Sequence, residues 1–210
     1  MNWRGILGGR QDGRGQRVWD VVLGVAAFGA LVLAVSLYAH FGFGTLAGIS
    51  SDSLKLHMDF DVFWHSARAS WDGRNIYYGT GGPDVSAQPP LWTVLVSSLA
   101  LLEPLAAYRA FVLISLLITV GYLAWMAAVL GLRVGWAVVV SGALLVSSPL
   151  LGTLALGQMY QIVALFLVAA WVADRRGRPI ISGVVLGLAV ALKPMLAPMV
   201  LWPLVRRGQR

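Results

Sequence analysis

The segment Met58-Asp59-Phe60-Asp61-Val62-Phe63-Trp64-His65 sets two carboxylates two positions apart in an aromatic stretch. On a helix their side chains diverge by about 200°, so no more than one of them faces a given pocket. A carboxylate held there would act as a general base, taking the proton from an attacking hydroxyl. The same segment also fits an interfacial amphipathic helix, with aromatics among lipid headgroups and acids in water. Lys193-Pro194 is the second point of interest. A cation at a proline-broken helix end suits a phosphate as a point charge, and equally suits snorkelling to a membrane surface. Gln158, in Gly157-Gln158-Met159-Tyr160-Gln161, opens an apolar run. A glutamine at that depth is costly unless paired, which leaves a hydroxyl-rich ligand or a helix–helix hydrogen bond. Asp72-Gly73-Arg74-Asn75-Ile76-Tyr77-Tyr78 begins with a turn signal; Arg74 and Tyr77 would touch a sugar or phosphate, or simply lie in a loop. His40, His57 and His65 show no metal-ligand spacing, and neither a metal nor another cofactor is expected.

These residues need elements to hold them, and composition says what kind. Of 210 residues, 58% are hydrophobic and 12% charged, against about 25% charged in soluble domains. Lipid must solvate most of such a chain. The net charge of +7 does not indicate nucleic acid, because no basic stripe is interleaved with exposed aromatics. The arginines instead flank apolar runs: Arg4, Arg10, Arg14 and Arg17 before the first, Arg175, Arg176 and Arg178 between two others, and Arg206, Arg207 and Arg210 at the end. That is the positive-inside pattern of an integral membrane protein. Cysteine is absent, which excludes disulfides and thiolate metal sites.

The fold expected is all-α: a polytopic membrane protein with one large extracytoplasmic loop carrying short interfacial helices. Residues 1–18 read as a cytoplasmic basic tail, 19–41 as the first transmembrane helix, and 42–104 as the extracytoplasmic loop. Residues 105–205 read as further transmembrane helices, and 206–210 as a basic cytoplasmic end. Residues 91–102 cover only about 18 Å, short of a core of roughly 30 Å. Treating them as re-entrant or interfacial puts Arg133, the Arg175 cluster and the C-terminal arginines on one side, and Asp59, Gln158 and Lys193 on the other. Pro89-Pro90 forces an extended entry and then a helix start. Pro149, Pro194 and Pro198 break the later runs into half-helices near a site. Gly183 and Gly187 suggest close packing of the helix ending at Leu192.

Five motifs in order carry a resemblance: an acidic-Phe motif after the first helix, Gly-x-x-Ile-Tyr, a Pro-Pro-Leu helix start, Gly-Gln opening a later helix, and Gly-Leu-Ala…Lys-Pro. From about residue 56 to its C-terminus the chain resembles glycosyltransferase family 87 of the GT-C superfamily, whose members include polyprenyl-phosphomannose-dependent mannosyltransferases and an arabinofuranosyltransferase. The resemblance implies a GT-C-like helical bundle in the plasma membrane with an extracytoplasmic active site. It also implies a polyprenyl-phosphate sugar donor and a glycolipid or glycan acceptor. Asp59, followed directly by Phe, matches the family's general base, with Asp61 an additional carboxylate beside the substrate. Lys193 matches the residue that holds the donor phosphate, and Gln158 the one lining the sugar pocket. Gln88 departs from the aromatic that usually precedes Pro-Pro. Family members are longer, so the chain reads as an N-terminal half, with a second chain expected to supply further helices. Two other readings compete: a non-catalytic lipid-binding subunit or truncated remnant, and a small transporter. The chain shows no repeat of matching broken segments to favour transport.

Overall fold

The computed structural model describes residue 29, residues 49–53, 56–77 and 88–201. The expected basic tail, most of the first transmembrane helix and the basic C-terminal end lie outside these. Among the described residues every regular element is helical and none is a strand, as the all-α expectation requires.

Helix α1 (Met58–Trp71) is followed by α2 (Pro90–Val96), a 3₁₀ turn (Leu99–Leu101), α3 (Pro104–Leu130), α4 (Val134–Leu145), α5 (Ser148–Leu156), α6 (Tyr160–Arg175), α7 (Pro179–Leu192) and a 3₁₀ segment (Pro194–Val200). Proline stands in the first turn of α2, α3, α5 and α7, where its missing N–H costs nothing and its fixed φ suits a helix start. The chain leaves α1 after Trp71 through Asp72-Gly73, as the turn signal predicts.

Among the described residues only α3, at 27 residues, is long and apolar enough to cross a membrane by itself. Just 22% of its most apolar window is buried, so most of that surface faces outward, as a lipid-solvated helix requires. Helices α4 and α5 pass the same test only as a pair, bent by 50° across their break. Residues 146–147 and Pro149 make that break. Residues 134–156 therefore form two helices. Helices α6 and α7, at 16 and 14 residues, reach only about 24 and 21 Å. They pack against each other as a hairpin, and α6 also packs on α3. A Cβ added at Gly183 or Gly187 would meet nothing within 4 Å. The expected close packing at these glycines is thus absent among the described residues; both lie on the outward face of α7.

Buried apolar residues run along α6 and α7, Val172 and Leu186 among them, but one cluster of the core bears on the site. It collects at one end, where Phe60 and Phe63 of α1, Trp92 and Val96 of α2, Ala107, Tyr108 and Phe111 of α3, Met159 and Val163 near the start of α6, and Leu192 at the end of α7 meet. Phe60 is fully buried, worth about 1.5–3 kcal/mol by transfer. Residues 91–102 do not form one span. They form the seven-residue α2 and the 3₁₀ turn, laid against α1. Helices this short are marginal by themselves, and indoles tie them down. Trp64 Nε1–H donates to the Leu102 carbonyl (3.2 Å), Trp71 Nε1–H to Ser97 (2.8 Å), and Trp92 Nε1–H to Leu192 (2.8 Å).

Candidate functional site

The core end of the bundle opens into a cavity of about 320 Å³ lined by Asp59, Phe63, Gln88, Pro89, Trp92, Gln158, Met159, Tyr160, Val163, Leu192, Lys193 and Pro194. Asp59, Gln158 and Lys193, singled out separately in the sequence, share this one cavity.

Each is placed by a specific local device. Asp59 lies in the first turn of α1, where the helix dipole favours a negative charge. Gln158 follows Gly157, which ends α5 in the left-handed conformation (φ 75°). That turn closes with Gln158 N–H donating to the Thr153 carbonyl at 2.7 Å, the signature of a glycine helix stop. Gly157 is needed for a second reason. A Cβ there would overlap the Phe60 Cβ and sit 3.1 Å from the Phe60 Cα. The backbone of α1 therefore rests directly on Gly157. With the two segments in contact, the Gln158 Nε2 amide donates to Asp59 Oδ2 at 2.6 Å.

Lys193 occupies the C-cap of α7 in an extended conformation, its N–H bonded to the Ala189 carbonyl at 2.9 Å. A cation is favoured at that end of a helix. Its Nζ lies 3.4 Å from the centre of the Tyr160 ring, a cation–π contact. Among the described residues no carboxylate pairs with Lys193. The cavity wall that Asp59 shares thus carries a positive charge held in place by an aromatic face, next to the N-terminus of α6 at Tyr160. This end of a 16-residue helix also favours an anion.

The other expected site residues lie elsewhere. Asp61 faces away from the cavity and pairs with His65 (Oδ1 to Nδ1, 3.2 Å), as the 200° divergence from Asp59 requires. Arg74 donates to Asp72 Oδ2 at 2.7 Å on the exposed surface. The Tyr77 backbone N–H donates to Asn75 Oδ1 at 2.8 Å. None of the three lines the cavity. Gln161, in the same motif as Gln158, is buried and bonds Thr153 Oγ1 at 2.9 Å. Both glutamines of the motif thus bond to another helix, and Gln158 also lines the cavity.

Trp92, Tyr160 and Phe63 were not singled out as site residues, although they form much of the wall. Their signal was proximity to motifs already noted: Trp92 one turn past Pro89-Pro90, Tyr160 inside the Gly-Gln motif, Phe63 one turn after Asp59. Gln88, at the position where an aromatic was expected, also lines the cavity. Among the described residues no group of three or more His, Asp or Glu side chains gathers as a metal site would.

The chain matches no curated protein and no solved structure. The model of glycosyltransferase family 87 matches residues 88–210. That stretch begins 32 residues later than the resemblance read from motifs at about residue 56. It holds Gln88, Trp92, Gln158, Tyr160 and Lys193, while Asp59 lies upstream and joins them through Gln158 and Gly157. The match covers more than half of the chain, and the chain belongs to glycosyltransferase family 87.

Proposed function

We propose that this family 87 glycosyltransferase moves mannose or arabinofuranose from a polyprenyl-phosphate donor to the hydroxyl of a glycolipid or glycan acceptor, with inversion. The observation that carries this reading is the single cavity shared by Asp59, Gln158 and Lys193, drawn from three separate segments. Asp59 takes the acceptor proton as the acceptor oxygen bonds to the anomeric carbon. The anomeric C–O bond to phosphate breaks on the opposite face, and the electron pair leaves with the phosphate. Lys193 meets that growing charge, aided by the N-terminus of α6. Gln158, by donating to Asp59 Oδ2, fixes the carboxylate's orientation and leaves Oδ1 for the acceptor.

Charge placement supports an extracytoplasmic site in a multi-pass plasma-membrane protein serving envelope assembly. Helix α6 runs from Tyr160 at the cavity to Arg175, and α7 returns from Arg178 to Lys193. Helix α3 runs from its core-packed start to the turn at Arg133. Arg133, Arg175, Arg176 and Arg178 therefore lie at the helix ends remote from the cavity, and basic ends mark the cytoplasmic side. Asp59→Asn, assayed with polyprenyl-phosphomannose and its arabinose counterpart, should lose about 10²–10⁴-fold in turnover at normal expression. Retained turnover would remove Asp59 from the mechanism, and transfer from neither donor would leave a lipid-binding role.

A further inference from the structure

His57 is fully buried, titratable and unused in the proposed reaction. It stands two residues before Asp59, at the N-cap of α1, where its carbonyl accepts from the Asp61 N–H at 2.9 Å. Its ring reaches across to the end of α5. Nδ1 lies 2.7 Å from the Ala155 carbonyl oxygen, and Nε2 lies 3.2 Å from that of Ser51. At the shorter contact the ring N–H donates to Ala155, since a carbonyl can only accept. The ring also stacks on Tyr108, with centroids 3.5 Å apart and planes 18° apart. Tyr108 OH donates to the neighbouring Leu154 carbonyl at 2.9 Å.

We infer that His57 is a positioning residue for sugar transfer: through its Nδ1–H bond to Ala155 it sets the Asp59 carboxylate against the Gln158 amide. The inference rests on the general-base reading of Asp59. The placement argument is geometric. Ala155 precedes Gln158 by three residues and His57 precedes Asp59 by two. One short bond therefore joins the two segments whose side chains meet at 2.6 Å. Gly157 against Phe60 fixes how closely the segments approach, but a glycine contact is smooth and leaves sliding open. A directional hydrogen bond resists sliding. An error of about 1 Å in placing a catalytic group is enough to cost on the order of a hundredfold in rate.

Two substitutions separate the ring's two ends. The amide nitrogen of Asn sits where Nδ1 does along the side chain, and that of Gln where Nε2 does. We would measure kcat and KM for polyprenyl-phosphomannose in His57→Asn, His57→Gln and Asp59→Asn, together with hydrogen–deuterium exchange of segments 58–63 and 157–162 in detergent. The expected result for His57→Gln is a loss of about ten- to a hundredfold in kcat, with KM nearly unchanged and faster exchange in both segments. His57→Asn should recover most of kcat and of the protection. Wild-type kcat in the glutamine variant, or equal loss in both variants, overturns the inference. So does a glutamine chain that fails to fold while the asparagine chain folds, because the ring then serves folding alone. Turnover retained by Asp59→Asn sinks the general-base reading instead. If the wild type transfers no sugar, the exchange data decide the His57 contact without it: unchanged protection in the glutamine variant overturns it.

Discussion

The Gln158 amide meets the Asp59 carboxylate at 2.6 Å across 99 residues of sequence. A bond of this kind, from a neutral donor to a charged acceptor, contributes about 1.5–3 kcal/mol. Its partner atoms come from the last turn of one helix stop and the first turn of another helix, so neither side chain needs a long reach.

Gln158→Ala should therefore lower kcat about ten- to a hundredfold, since the carboxylate loses its orienting donor. Gln158→Glu should be worse, because two carboxylates would then face each other. Initial rates at saturating donor check both; equal activity of the alanine variant and wild type would show that Asp59 needs no orientation.

Gly157→Ala combines a left-handed backbone with a clash against Phe60. It should cost more than Gly131→Ala, which shares the positive φ (66°) but meets nothing within 4 Å. About 1 kcal/mol is expected at Gly131 and several at Gly157. Thermal unfolding in detergent measures the difference, and an equal cost at the two sites would mean that the α1 backbone does not rest on Gly157.

Lys193→Met keeps most of the side-chain length and the Tyr160 contact but removes the charge. Transfer should fall by at least about a hundredfold in kcat/KM, with folding preserved. Because we place the leaving-group charge on Lys193, protein treated with a metal chelator should keep its turnover. Loss of turnover on chelation, restored by a divalent ion, would shift that role to a metal.

Trp92→Phe leaves the cavity wall aromatic but strips the Leu192 carbonyl of its indole donor. A buried acceptor left unpaired costs about 1–3 kcal/mol. Lower thermal stability and a raised KM are expected, because that carbonyl belongs to the residue before Lys193. Unchanged values of both would make the indole N–H dispensable.

Much of this was legible in the sequence, and the part that was not has a physical cause. Asp59, Gln158 and Lys193 stand out because polar groups are rare in an apolar chain and each neighbours a helix breaker. The break near Pro149 was visible as a proline, but not where the second helix would begin, since flanking hydrophobicity is uniform. Gly183 and Gly187 looked like packing glycines, yet a glycine in a helix does not say which face it lies on. His57 carried no signal at all. Its bond goes to a backbone carbonyl 98 residues away, and every residue has one.

Asp59, Gln158 and Lys193 line one cavity from distant points of the chain, and this spacing sets when the site can exist. A chain made from its N-terminus carries Asp59 through synthesis of about a hundred further residues before its amide partner emerges. The cation follows another 35 residues later. Long-range closures of this kind are slow because their loop entropy must be met before any contact rewards it. On the reading proposed above, the site assembles only once residue 193 has been made. On that same reading, a donor lipid that meets the chain before residue 193 is in place finds a base without a counter-charge.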